Sequence, residues 1–109
     1  VGMTLRSDEE VEYIYYAVTP SQVEYVRTKW IRPTQMELEG EELKNYRSMY
    51  PSLEGWGFFS IECRPNFELY TLFASFGENL VVLEPTRIRE KIAGRMRAAA
   101  DNYGKISGQ

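Results

Sequence analysis

The sequence predicts an α+β domain in the ferredoxin-like βαββαβ order, with an antiparallel sheet, two helices on one of its faces and an added C-terminal helix. Two observations predict this class. Short runs of β-branched and aromatic residues alternate with amphipathic segments, and those segments begin near Pro or Asn cap signals. The length of 109 residues suits one domain, which we place at residues 11–109 after a linker or the end of a preceding domain over residues 1–10.

The first strand and helix are predicted near the start of this domain. Residues 11–18 are rich in Tyr, Val and Ile, and both alternating faces are largely apolar, as in a central strand. Thr19, Pro20 and Gln22 have the spacing of a capping box that opens a short amphipathic helix, and Pro33 interrupts its continuation. The predicted apolar stripe of this helix is Val23, Val26 and Trp30.

Two strands separated by a loop are predicted next. Residues 34–42 alternate in polarity, with Met36 and Leu38 on the apolar side, which indicates a half-exposed strand. Residues 43–55 contain Asn, Ser, Pro and Gly and are predicted to form a loop longer than a tight hairpin. Residues 56–64 are strongly strand-like.

Two helices with a short buried strand between them complete the pattern. Asn66 is the predicted cap of the first helix and Gly77 the left-handed residue that ends it. A strand at 80–83 then leads into a last helix from Thr86, which Gly104 is expected to close. The predicted apolar faces are Leu69, Leu72, Phe73 and Phe76 for the first helix, and Ile88, Ile92, Met96, Ala99 or Ala100, and Tyr103 for the last.

The composition excludes several classes of protein. No apolar run approaches the roughly 20 residues that span a bilayer, so we expect no membrane contact and a cytoplasmic protein. The chain has no His and a single Cys, which leaves few metal ligands and no imidazole base. Cys63 lies in a predicted strand without an activating base, and we interpret it as a small core or edge residue. We therefore expect a non-enzymatic protein without metal or cofactor.

The charge is distributed unevenly along the chain. Residues 1–84 carry 7 Lys and Arg against 14 Asp and Glu, whereas residues 85–109 carry 6 against 2. Arg87, Lys91 and Arg95 fall at four-residue spacing on the last helix, so they share one face. This basic stripe is a candidate site for phosphates or for an acidic patch of a partner; a solvated helix face is the alternative interpretation.

The aromatic residues suggest a second candidate surface. The sequence EGWGFFSI at 54–61 resembles the RNP1 stretch of RNA-recognition motifs, although Glu54 stands where a basic residue would contact phosphate. Tyr15, Trp56 and Phe58 would then stack on bases as an exposed sheet face. The alternatives are that the aromatic face packs on another subunit or domain, or that the C-terminal helix covers it. Binding of single-stranded nucleic acid is accordingly the alternative function.

Four short motifs and one arginine, in order, resemble one family. They are YVRTK at 25–29, PTQ at 33–35, SFG at 75–77 and VLEP at 82–85, followed by Arg89. In this order and spacing the chain resembles the C-terminal extension, of the WCX type, of bacterial transcriptional regulators with a WYL domain. The resemblance covers about residues 11–103 and implies a ferredoxin-like regulatory domain.

The resemblance also implies partners for a longer parent protein. Regulators of this family have an N-terminal helix-turn-helix that binds DNA and a central WYL barrel associated with nucleotides or nucleic acid; neither is found in these 109 residues, and residues 1–10 are where the chain would leave the barrel. The extension is associated with homodimer contacts and control of DNA binding. The sequence departs from the family at 30–32, where Trp-Ile-Arg replaces Pro-Leu-His. The candidate ligand or partner contacts are Arg27, Lys29, Arg32 and Gln35.

Overall fold

The structure, a computed structural model, describes residues 10–107. Its sheet has the strand order β2-β3-β1-β4, and every neighbouring pair is antiparallel. The long central strands are therefore β1 and β3, and the two short strands lie at the edges. The strands are β1 (Glu12–Val18), β2 (Met36–Glu37), β3 (Gly57–Cys63) and β4 (Leu80–Glu84).

Four α-helices connect or follow these strands within residues 10–107. Short 3₁₀ turns at Pro20–Gln22, Pro51–Leu53 and Gly77–Asn79 adjoin α1, α2 and α3. The helices are α1 (Val23–Thr28), α2 (Gly40–Met49), α3 (Phe67–Ser75) and α4 (Thr86–Ser107). The predicted α+β class, the antiparallel sheet and the added C-terminal helix are confirmed. The predicted linker falls on residues that the structure does not describe, except for Glu10.

The second helix replaces a predicted loop and changes the predicted layer arrangement. The loop prediction for 43–55 is wrong at 43–49, which belong to α2, and holds at 50–55, which form turns. Leu43 and Tyr46 of the helix, with Tyr50 just beyond it, recur at helical spacing and pack on the sheet face opposite α1, α3 and α4. Apart from Met49, which is exposed, the remaining side chains of α2 are polar, so the helix depends on this tertiary contact. The sheet thus has helices on both faces instead of on one.

The two faces of the sheet carry separate cores. Alternate residues of a strand point to opposite faces, so Tyr16 belongs to one core and Ala17 to the other. The larger core lies between the sheet and α1, α3 and α4; Ile14, Phe59, Phe73 and Ile88 are among its buried members. The smaller core lies beneath α2 and consists of Ala17, Leu38, Phe58 and Leu83, with half-buried Tyr and Leu side chains around them.

The first helix departs from its predicted boundaries. It ends at Thr28, and Trp30 lies beyond it with 62% of its surface exposed, its Nε1 donating to the Arg27 carbonyl at 3.0 Å. The capping box does not form, because the Thr19 side chain makes no cap hydrogen bond and its hydroxyl donates to Asn79 Oδ1 at 3.1 Å instead. Thr19 therefore ties β1 to the turn before β4.

Two further predictions are corrected at the ends of elements. Met36 lies on the same sheet face as Leu38, but α2 covers only Leu38 and leaves Met36 68% exposed. Gly104 lies inside α4 and does not end it.

The predicted start and end signals of α3, by contrast, are both confirmed. Asn66 Oδ1 accepts from the Leu69 N–H at 2.8 Å, and Gly77 has a φ of 58°.

The C-terminal helix is longer than the surface on which it packs. Ile88 and Ile92 are buried against β4 and α3, and Met96 is half-buried. Every residue from 97 to 107 is exposed. At 1.5 Å per residue, about 16 Å of helix extends past the body of the domain. No helix in the described part of the chain is long and apolar enough to span a membrane.

Candidate functional site

Gln35, a predicted ligand contact, joins β1, α1 and the turn before β2. Its Oε1 accepts from the Tyr16 hydroxyl at 2.6 Å and from the Ile31 N–H at 3.0 Å. Its Nε2 donates to the Val26 carbonyl at 2.9 Å. Because Tyr16 is fully buried and Ile31 nearly so, Gln35 satisfies polar groups that water does not reach. Its amide therefore has a structural task, and its use as a ligand contact stays a prediction.

Arg27 is held between two carboxylates. Its Nε and Nη2 donate to the two carboxylate oxygens of Glu37 at 2.9 Å each, and its Nη1 donates to Glu24. The hydrogen bonds and charge of Glu37, and to a smaller extent Glu24, raise the pKa of the guanidinium. A ligand anion that bound Arg27 would have to displace one of these carboxylates.

The structure does not bring the four predicted contacts of this region into one site. Arg27 and Gln35 border an open depression of about 610 Å³ beside β2, whose lining does not include Arg32 or Lys29. Arg32 donates to the Ile31 carbonyl at 2.8 Å and lies near Cys63. Burial raises the pKa of the Cys63 thiol, and the charge of Arg32 opposes that rise. Lys29 is exposed at the end of α1.

The predicted basic stripe of α4 makes contacts within the domain. Arg87 forms an ion pair with Glu12 of β1. The Lys91 ammonium lies 5.1 Å from the centre of the Tyr70 ring. The Arg95 guanidinium lies 5.6 Å from the Phe67 ring centre and donates to the Thr71 hydroxyl at 3.2 Å. The stripe therefore helps to fasten α4 to α3 and β1, and its use for anions or a partner stays a prediction.

A second basic row, missed as a site in the sequence, lies on the neighbouring face of α4. Arg89 and Arg97 are two helical turns apart with Ala93 between them, and all three line a cavity of about 400 Å³ along β4. Within residues 10–107 neither guanidinium has an ion pair or a hydrogen bond. Their eight-residue spacing was the available signal, but only the position of β4 shows which basic row borders a cavity.

The candidate aromatic surface is largely covered by α2. Phe58 is 1% exposed, and Tyr15 and Trp56 are half-buried around the smaller core. The Tyr15 and Tyr46 rings stack with centroids 4.9 Å apart, and Arg47 lies 5.6 Å from the Phe58 ring centre. Bases could stack on Phe58 only if α2 left the sheet. The covering helix is α2 and not α4, and a partner contact through these aromatics stays a prediction.

The phenol groups of Tyr15 and Tyr46, at the edge of the smaller core, lie next to carboxylates. The Tyr46 hydroxyl donates to Glu84 Oε1 at 2.8 Å, and the Tyr15 hydroxyl donates to Glu42 Oε2 at 3.3 Å. Burial raises the pKa of both phenols, and the neighbouring carboxylates raise it further. Both groups therefore act as hydrogen-bond donors at neutral pH and hold α2 to β1 and β4.

The described residues contain no cluster of His, Cys, Asp or Glu that could hold a metal ion. A family model described as the WCX domain matches residues 10–100, which is most of the chain. The match confirms the resemblance to the C-terminal extension of WYL regulators that the motifs indicated. A comparison with curated proteins finds no similar sequence.

Proposed function

Because the chain belongs to the WCX domain family, we propose that it is a non-enzymatic regulatory module of a WYL-family transcriptional regulator and that two copies associate through the free half of α4. The observation that carries the proposal is the apolar stripe of α4, which continues beyond the domain. Ile92 and Met96 of this stripe pack on the core, whereas Ala99, Tyr103 and Ile106 are exposed.

The spacing of this stripe suits helix pairing. Residues 92, 96, 99, 103 and 106 are separated by four, three, four and three positions, the repeat of a coiled-coil seam. Tyr103 is 71% exposed and Ile106 62%. An isolated helical segment of this length is marginal in water, so its seam gains most from a partner helix. A second copy presents the same seam and forms a closed two-fold pair.

The family supports two further partners for the parent protein. We propose that its N-terminal helix-turn-helix binds DNA and that a nucleotide or nucleic-acid effector changes the pairing of the domains. An anionic effector that reached Arg27 would exchange with Glu24 or Glu37 and so loosen the link between α1 and β2.

The pairing is tested by sedimentation equilibrium of the 109-residue chain over a roughly hundredfold range of concentration. We expect a monomer–dimer equilibrium that Tyr103→Glu or Ile106→Glu shifts to monomer. The matched control is Ala98→Glu, which adds the same charge to an exposed position about 120° around the helix from the seam. Unchanged association in the two seam variants, or equal loss in the control, would show that α4 is not the contact.

A further inference from the structure

The outer edge of β4 lies beside an open groove. β4 pairs with β1 on one side and, within residues 10–107, has no strand on the other. The groove is the cavity of about 400 Å³ between β4 and α4, and its lining is almost entirely apolar, with Ile92, Ala93 and Met96 contributed by the helix. We call it the β4–α4 groove.

The groove follows the backbone edge of β4 and not one face of the sheet. Its lining includes Leu80, Val81 and Val82, three consecutive residues of the strand. Consecutive side chains of a strand point to opposite faces, so a cavity that reaches all three must run along the edge. The edge N–H and C=O groups are thus available to another strand.

The two ends of the groove carry positive charge that the described residues do not neutralise. Arg89 and Arg97 line it from α4 and make no ion pair there, in contrast to Arg87, Lys91 and Arg95, which contact β1 or α3. Eight residues of helix separate the two arginines by about 12 Å. Four residues of an extended chain span about 13 Å. Acidic side chains at positions i and i+4 of a bound strand would therefore meet both.

We propose that the β4–α4 groove binds an extended peptide segment of a partner protein, which pairs with β4 as a fifth strand and has the pattern acidic-x-apolar-x-acidic. Positions i, i+2 and i+4 of a strand share a face. The apolar side chain at i+2 enters the groove against Ala93 and Met96, while the two carboxylates bind Arg89 and Arg97. Backbone pairing supplies affinity and the three side chains supply selectivity.

The charge pattern distinguishes this partner from a second copy of the chain. If β4 of another copy occupied the edge, Glu84 would supply one carboxylate, but position 80, four residues earlier, is Leu. One of the two arginines would then remain unpaired. The groove shares Ile92 and Met96 with the apolar stripe of α4. The residues changed to test pairing, Tyr103 and Ile106, lie outside the groove, so either proposal can fail without the other.

The test is an NMR titration of the ¹⁵N-labelled chain with an end-blocked peptide of sequence TETVTET. We expect saturable shifts and slowed hydrogen exchange at the β4 amides. Arg89→Gln combined with Arg97→Gln should weaken binding about tenfold, and Ala93→Glu should abolish it. The control Lys29→Gln with Lys44→Gln removes the same charge from exposed positions outside the groove and should leave binding unchanged.

Three results would overturn the proposal. The first is equal binding of TKTVTKT, in which lysines replace the acidic residues. The second is a set of shifts that lies away from β4, or no shift at all in a chain whose spectrum and thermal unfolding are those of the folded protein. The third is concentration-dependent protection of the β4 amides without peptide, which would assign the edge to a second copy.

Discussion

Val23 at the start of α1 packs directly on Gly57 at the start of β3, so closely that a β carbon at position 57 would lie 2.8 Å from Val23 Cγ2. No side chain fits between them, and the same β carbon would lie 3.2 Å from Phe59 Cε1. The bare backbone of Gly57 therefore sets the distance between α1 and the sheet.

We expect Gly57→Ala to lower the free energy of unfolding by about 1–3 kcal/mol through overpacking. Val23→Ala in the same chain should recover part of that loss because it removes the clashing methyl groups. Gly94→Ala is the control, since a β carbon there meets no atom within 4 Å and α4 should gain about 1 kcal/mol. Urea unfolding measures all of these variants, and a neutral Gly57→Ala would contradict the packing.

Gln35→Leu should cost about 3 kcal/mol, because it leaves the Tyr16 hydroxyl, the Ile31 N–H and the Val26 carbonyl without their partner. Tyr16→Phe removes only one bond and should cost about 1 kcal/mol. The control is Gln22→Leu, because the Gln22 side chain makes no hydrogen bond within residues 10–107. Equal losses of unfolding free energy at positions 22 and 35 in chemical denaturation would show that the hydrogen bonds of Gln35 do not stabilise the fold.

Phe58→Ala should cost about 3–5 kcal/mol, since the ring is buried between the sheet and α2. Phe67→Ala removes the same ring from a position that is 77% exposed and should cost about 1 kcal/mol, chiefly the contact with Arg95. Calorimetric melting distinguishes the two. Similar losses would mean that α2 does not cover the second face.

Lys91→Gln combined with Arg95→Gln should lower stability by about 1–2 kcal/mol, because both cations lie over aromatic rings of α3. Arg89→Gln combined with Arg97→Gln removes the same two charges from the neighbouring row of α4, where no ring contact exists among the described residues, and should leave the unfolding midpoint unchanged. A midpoint that moves equally in both chains would argue for a general charge effect.

Stability should fall steeply in alkali. Burial raises the pKa of the Tyr16 phenol well above its ordinary value of 10.0, so above pH 10 the unfolded chain ionises first. The stabilisation that the neutral, buried phenol contributes is complete below pH 10. Above pH 10 this stabilisation is lost at up to about 1.4 kcal/mol per pH unit. Tyr46 and Tyr15 act in the same direction, because burial and nearby carboxylates raise their pKa values. Urea midpoints between neutral and alkaline pH should fall less in Tyr16→Phe than in the wild-type chain.

Elements with local signals could be predicted, and those that depend on distant contacts could not. The cap at Asn66 and the terminator at Gly77 are encoded within a few residues of α3, which therefore has its predicted place. The helix α2 depends on a sheet face built from β1 and β3, more than 20 residues away on one side, and its own sequence is largely polar. Local composition alone therefore predicted a loop.

The candidate site residues could likewise be predicted only where the signal is local. Spacing identified the basic row of Arg87, Lys91 and Arg95, but spacing cannot show that Glu12 and the rings of α3 already occupy it. Gln35 was predicted as a ligand contact because it belongs to a motif. Its partners come from β1 and α1, and no local pattern reveals them.

The two cores that share the sheet have a thermodynamic consequence. Phe73 and Phe58 lie on opposite faces and belong to different clusters, so the free-energy losses of Phe73→Leu and Phe58→Leu should add to within about 0.5 kcal/mol in a double-mutant cycle. Phe73 and Tyr16, whose rings lie 5.4 Å apart in one core, should instead show measurable coupling. Substitutions in the core beneath α2 should therefore change the free energy of unfolding independently of substitutions in the core on which α4 packs.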